Sequence, residues 1–342
     1  MSFDSVLLTI FQRMHGERSA QGVFHILRGK RSGQTLQDVE YYQVKSYYGL
    51  LPGLSASDFQ LAVERLVSEG YLYIDILVYV TAKGQIATGS ELWRFNGWDY
   101  RGREREFGRR LALLVQTLSN LRNGETMFMP IQKELPVQQF IKGLLRNQPA
   151  PINALAEALR TELERSMTDA KLSELQCTIV SGRLTGHHVT AYTWEQMAES
   201  FKLPVMTVQL YYLEALHIVL DFISVQEDFP LLTELAAGCR VDTYLTQSAE
   251  RTRKLFEHGY SVEQIASLRH LKLSTIEDHF IEMAANVYDF PYLEFVTDEQ
   301  IEAVWQQIDQ LQTKRLRLLK ERCPELSYFQ LRLIVIIGRR DS

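Results

Sequence analysis

Arg28, Lys30 and Arg31 crowd into a glycine-punctuated stretch that follows an apolar helical pattern, where their side chains are free to reach a phosphate. A second set, Lys272, Thr275 and His279, lies in and just after a tight basic turn within SVEQIASLRHLKLSTIEDHFIEMAA, residues 261–285. The chemistry these residue types offer is charge neutralisation and hydrogen bonding along a polyanionic backbone, not bond making. Each neutralised phosphate releases condensed counterions, so binding of this kind weakens as salt rises. Two further clusters are Arg101, Arg103, Arg105, Arg109 and Arg110, and Lys314, Arg315, Arg317, Lys320 and Arg322. Glu104 and Glu106 dilute the first of these at helical spacing, which favours a solvated, salt-bridged helix face. With a net charge of -5 over 342 residues, blanket binding to nucleic acid is excluded, and any contact must come from such local clusters.

The elements that must position these side chains follow from helix starts and stops. Ser261 with Gln264, and Ser274 with Glu277, have the spacing of capping boxes, which satisfy the orphan backbone donors at a helix start. Two starts so close together force a tight corner, the layout of a helix-turn-helix, with Ile265, Ala266 and Leu268 facing Ile276, Phe280 and Ile281 across an apolar seam. The second helix also carries Glu277, Asp278 and Glu282, whose charges would repel phosphates. Whether it faces DNA, packs inward or meets a protein is open. A DNA groove would be reached through Lys272, Thr275 and His279.

Residues 1–98 have the order of a winged helix. Helical patterns run from Phe3 to Met14 and from Ser19 to Gly29, a Tyr-rich loop follows, and Ser57 with Gln60 caps a third helix ending at Gly70. YLYIDILVYV, residues 71–80, then reads as a short hairpin turning near Asp75. Residues 99–172 are a helical connector. In 173–244 a second helix-turn-helix pattern begins at Thr193 and Gln196, turns at Lys202-Leu203-Pro204 and continues into an apolar helix from Val205 to Phe222, whose composition suits a core helix. Residues 245–342 hold the third module and the terminal helices. The expected fold is mainly α, an N-terminal winged helix followed by tandem helix-turn-helix modules.

Catalytic signatures are missing. Arg28-Gly29-Lys30-Arg31-Ser32 lacks the remaining glycine and the Ser/Thr placement of a phosphate loop, and neither G-x-S-x-G nor H-E-x-x-H occurs. His187-His188 reads as an exposed loop pair. Cys177, Cys239 and Cys323 are too far apart for a zinc site or a disulfide framework. The chain is expected to be no enzyme, to need no cofactor or metal, and to be cytoplasmic. With no leader pattern and no apolar run of membrane-spanning length, no membrane partner is expected. Tyr41, Tyr42, Tyr47 and Tyr48 could stack on unpaired bases, though at least half of them should fill the core.

GVFHILRGKRSGQTLQDVEYYQVKSYYGLLPGLSASDFQLAVERLVSEGYL, residues 22–72, resembles the C-terminal winged-helix domain of RecQ-type DNA helicases, notably at Leu27-Arg28-Gly29 and at the helix end Leu66 to Leu72. Residues from about Leu245 to Ile337 look like the helicase-associated helix-turn-helix domain, with the phrases STIEDH and SYFQLRL. The whole arrangement is similar to YpbB-like proteins of Gram-positive bacteria, which occur alongside a RecQ-like helicase. The resemblance implies a non-catalytic DNA-binding accessory protein of replication or repair, with duplex or branched DNA of low sequence preference and a RecQ-type helicase as partners. The alternatives are a sequence-specific transcription regulator and a protein-interaction scaffold without DNA binding. The hairpin lacks the aromatic or basic tip of a strand separator, so unwinding by this chain alone is not expected.

Overall fold

The computed structural model describes residues 2–88, 93–241, 245–287 and 289–338. The chain opens with α1 (Phe3–Arg13), α2 (Ala20–Arg28), α3 (Gly33–Tyr41) and α4 (Ala56–Ser68), followed by the antiparallel hairpin β1 (Leu72–Ile74) and β2 (Val78–Val80) and by α5 (Ala82–Ala87). The middle contains α6 (Gly97–Tyr100), α7 (Glu104–Arg122), α8 (Leu135–Asn147), α9 (Ile152–Asp169), α10 (Glu174–Gly182), α11 (Trp194–Phe201), α12 (Val205–Ile223) and α13 (Pro230–Leu235). The C-terminal part comprises α14 (Gln247–Glu257), α15 (Val262–Leu268), α16 (Leu273–Asn286), α17 (Asp298–Leu311), α18 (Leu316–Arg322) and α19 (Tyr328–Ile337). The protein is mainly α, with one two-stranded sheet among the described residues.

The N-terminal segment departs from the expected order in one place. Where a Tyr-rich loop was predicted, α3 forms, with Ser32 capping it by accepting the Thr35 N–H. Its composition hid it, because Thr35, Gln37 and Asp38 are polar yet buried. Such burial is tolerable only with partners, and these come from distant elements: Arg18 pairs with Asp38 at 2.8 Å and Arg332 of α19 donates to Gln37 at 3.0 Å. The cap of α4 is Ser55 rather than Ser57, since Ser55 accepts the Asp58 N–H and the helix begins at Ala56. Asp75 does sit in the hairpin turn, donating its N–H to the Leu77 carbonyl.

The cores do not follow the expected segments. Leu7, Ile10, Leu27 and Val39 share a single core with Ile276, Phe280, Leu331 and Ile334, because α3 packs against both α16 and α19. Residues 1–98 and 245–342 are thus joined through their interiors. A second core gathers α7, α8, α9, α12 and α13, and a small third one lies under α10 and α11. α12 has the length and hydropathy of a membrane span, which corrects the expectation that no run reaches it, but two-thirds of that stretch is buried inside the protein. As expected of a core helix, it fastens the chain around α6: Asn96 donates its N–H to His217 Nδ1, and Asp221 accepts from Asn96 and from the Tyr100 hydroxyl.

Candidate nucleic-acid interface

The helix-turn-helix forms from α14, α15 and α16. Ser261 Oγ accepts the Gln264 N–H while the Gln264 side chain accepts the Ser261 N–H, the capping box the spacing predicts. The corner passes through His270 at φ 51° and closes with a bond from the Leu271 N–H to the Ala266 carbonyl. The chain therefore re-enters helix at Leu273 with Lys272 as its cap, one turn before Glu277. The second expected capping box, Ser274 with Glu277, does not form, because both residues already lie inside α16. Leu268 also leaves the predicted seam and is exposed, whereas Ile265, Ile276, Phe280 and Ile281 are buried.

Beyond its first turn, every residue of α16 is buried or half-buried. Besides α14 and α15 it packs against α3 and α19, and Phe280 meets the rings of Phe256, Phe290, Phe295 and Phe329 with centroids 4.9 to 6.5 Å away. Its polar residues are tied down as well. Asp278 pairs with Arg332 at 2.6 Å. Glu282, buried, accepts both the N–H and the hydroxyl of Thr246 at the head of α14, and burial pushes its carboxyl above the usual range despite those bonds. His279 is buried against the Thr252 hydroxyl at 2.9 Å, and burial, aided by nearby Arg269, lowers its pKa to about 4.

His279 is therefore removed from the predicted DNA-facing set: it is a neutral core histidine, because the face it occupies is the one that packs. Thr275 is half-buried, and Lys272 is exposed together with Leu273 and Ser274. Leu273 and Ser274 are the exposed residues of the helix, and the Asp278 side chain, 44% exposed, also reaches solvent. Of the other cations at this corner, Arg269 donates inward to the Ser248 carbonyl, the Ser248 hydroxyl and Thr252.

The N-terminal cations have a different setting. Gly29 ends α2 at φ 68°, in the left-handed region that glycine enters without strain. A Cβ on Gly29 would lie 3.0 Å from the Gly49 Cα, and one on Gly49 would lie 3.2 Å from the Arg101 Cα, so three chain segments meet backbone to backbone. The Tyr48 hydroxyl, buried below, donates to the Gly29 and Lys30 carbonyls at 3.1 and 3.3 Å. With the turn held from inside by a neutral group, Arg28, Lys30 and Arg31 all face solvent. Arg28 lies over the Phe24 ring and donates to the Pro52 carbonyl at 3.2 Å.

That loop connects two clusters the sequence keeps far apart. Arg105 donates to the Leu50 carbonyl at 3.1 Å, Gly102 packs on Pro52, and Arg101 stacks on Trp98 at 4.3 Å with Tyr48 beyond it. Arg28 and Arg105 thus both reach one loop, residues 49–53, and Lys30, Arg31 and Arg103, close to them in the sequence, are exposed. Farther along α7, Arg109 and Arg110 pair with Glu106 at 3.5 Å, as a salt-bridged face would. In the third cluster Lys314 donates to the Tyr41 carbonyl and Lys320 to the Pro324 and Leu326 carbonyls, so both serve the fold. Tyr41, Tyr42, Tyr47 and Tyr48 are all buried, which overturns the expectation that one or two remain for base stacking. Tyr41 ends α3 and Tyr42 caps it, while Tyr47 packs on Phe95 and Tyr48 on Trp98.

A mainly helical protein with a helix-turn-helix and a strip of exposed cations is the class these features define. Residues 248–335 match the family described as a helix-turn-helix domain. Over 341 residues the chain is 29% identical to Protein YpbB of Bacillus subtilis (strain 168), covering 97% of this chain and 96% of that protein. No solved structure matches it.

Proposed function

We propose that this protein is a non-catalytic, cytoplasmic DNA-binding accessory protein of replication or repair that works beside a RecQ-type helicase. The observation that carries the DNA reading is that Arg28 and Arg105 meet on one loop, with the exposed Lys30, Arg31 and Arg103 close to them in the sequence. The strip offers charge to phosphates with no helix aimed at base edges, so it suits binding with little sequence preference. A transcription regulator is disfavoured on the same ground, since its recognition helix would have to lie in the major groove and α16 is buried or half-buried beyond its first turn. The helix-turn-helix match supports DNA binding in general. The helicase rests on the resemblance of residues 22–72, and the hairpin suits such a partner: Tyr73, Ile76 and Tyr79 are exposed around Asp75, an apolar and acidic surface that would repel phosphates.

Binding to blunt and forked DNA of unrelated sequences across a salt titration tests the reading. The parent should bind all of them with an affinity that falls steeply with salt. The combined Arg28→Ala, Lys30→Ala and Arg31→Ala variant should weaken every complex alike and flatten the salt slope by about 0.9 per lost contact. A parent that binds none of these DNAs, or a variant with the parent's slope, overturns it. Capture of a RecQ-type helicase should survive nuclease treatment, and its loss would remove the partner from the reading.

A further inference from the structure

The basic strip runs into a cleft of about 380 Å³ bordered by Leu51, Arg105, Arg109, Arg183, Trp194 and Tyr212. These residues come from four separate stretches of sequence. Arg183 lies flat over the Trp194 ring at 4.1 Å and is held there by donating to the Tyr192 carbonyl. Trp194 in turn meets Tyr212 edge to face at 5.3 Å. α7 and α12 approach closely enough to form the floor because residue 108 is glycine, where a Cβ would stand 2.6 Å from the Tyr212 hydroxyl.

No carboxylate lines this cleft. Glu106 and Glu134 lie 3.5 and 3.9 Å from Arg109 and Glu104 lies 3.7 Å from Arg105, long ion pairs at or beyond the reach of a good hydrogen bond, which a phosphate would have to compete with. Glu195 acts on Arg183 only through its field. Two exposed guanidiniums beside a guanidinium-backed indole match a phosphate joined to a flat aromatic ring, because bases stack on aromatic and guanidinium faces whatever their sequence.

We infer that this cleft takes an unpaired nucleotide of a DNA strand, its base against Trp194 and Arg183 and its phosphate on Arg105 and Arg109. A strand fits better than a free nucleotide, because a second set of cations, Arg28 with the exposed Lys30 and Arg31 next to it in the chain, shares loop 49–53 with Arg105. The site rests on the DNA-binding reading and adds to it: the strip holds the backbone, and the cleft senses where a strand is unpaired.

The test compares a blunt duplex, the same duplex with a single-stranded thymidine tail, and dTMP. The parent should bind the tailed DNA roughly fivefold to a hundredfold more tightly than the blunt duplex, the range expected for one stacked base. Arg109→Ala, at an exposed position, and Trp194→Leu should each lose that increment while keeping the affinity for blunt duplex. If the parent binds both DNAs equally, or if both variants keep the increment, the cleft assignment falls and the DNA reading stands. If dTMP binds as tightly as the tail adds, the site is one for free nucleotides and the strand assignment falls. If the parent binds no DNA at all, the DNA reading itself has failed.

Discussion

The turn between α2 and α3 and the turn between α15 and α16 are built from the same materials, cations beside a helix start, and they finish in opposite environments. At the first, a neutral hydroxyl from Tyr48 secures the backbone, and Arg28, Lys30 and Arg31 are left at the surface. At the second, the anchor is itself a cation: Arg269 turns inward to Ser248, Thr252 and His279, leaving His270 and Lys272 outside. The group that closes a turn therefore decides whether its charges remain free for a ligand. A helix-turn-helix here acts mainly as a strut between the two ends of the chain, while the less distinctive turn carries the charge.

The largest expected effect comes from inverting the role of α16. A helix that faced DNA should gain affinity from Glu282→Lys, by removal of a charge that repels phosphates. In this fold Glu282 closes the head of α14, and Arg31 and Arg101 lie within electrostatic reach of it. A lysine there would leave the Thr246 N–H unpaired and bury a cation near two others. Breaking such a buried charged arrangement costs about 3–5 kcal/mol, so urea denaturation should show a marked loss of stability. A variant as stable as the parent would mean that α16 is open to solvent and that the two turns do not differ.

Much of this is legible in the sequence, and the failures at α3 and His279 share a cause. Ser261 and Thr193 cap helices where the sequence places them, whereas Ser57 and Ser274, with partners at the same spacing, lie inside helices already begun. α3 was missed because its polar face is satisfied from Arg18 and Arg332, partners that no local window includes. His279 was misplaced for the same reason: a periodic pattern shows which side of a helix is apolar but not how many neighbours enclose it. Of the cleft, Arg105 and Arg109 stood in a flagged cluster, but nothing in the spacing connects them to Arg183 and Trp194.

An intermediate effect should appear with pH. His279 has a folded pKa of about 4 against 6.5 for an unperturbed histidine, so the unfolded chain binds this proton first as pH falls. Its contribution is fully present above pH 6.5, declines between 6.5 and 4, and amounts to about 3 kcal/mol at most. The carboxyls of Glu277 and Glu282, raised by burial, work in the opposite direction, so the histidine is isolated by comparing the parent with His279→Gln. The parent should lose more stability than the variant between pH 7 and pH 4.5. Equal losses would place His279 at the surface and return it to the set that could meet DNA.

The smallest effect sharpens the contrast most, because it concerns the most exposed part of α16. Lys272 caps the helix from an exposed position, and the helix start adds partial positive charge beside it. A phosphate lying there would gain from both, with half-buried Thr275 the last residue near enough to assist. Lys272→Glu should therefore weaken DNA binding slightly and lower the salt slope by roughly one unit, the value of a single phosphate contact. That is less than the change expected from losing Arg28, Lys30 and Arg31 together. The loss should also be the same for DNAs of unrelated sequence, since a helix enclosed beyond its first turn touches backbone and not base edges. If Lys272→Glu instead changes the ranking among sequences, α16 reads bases, and the strut and the binding surface are the same element.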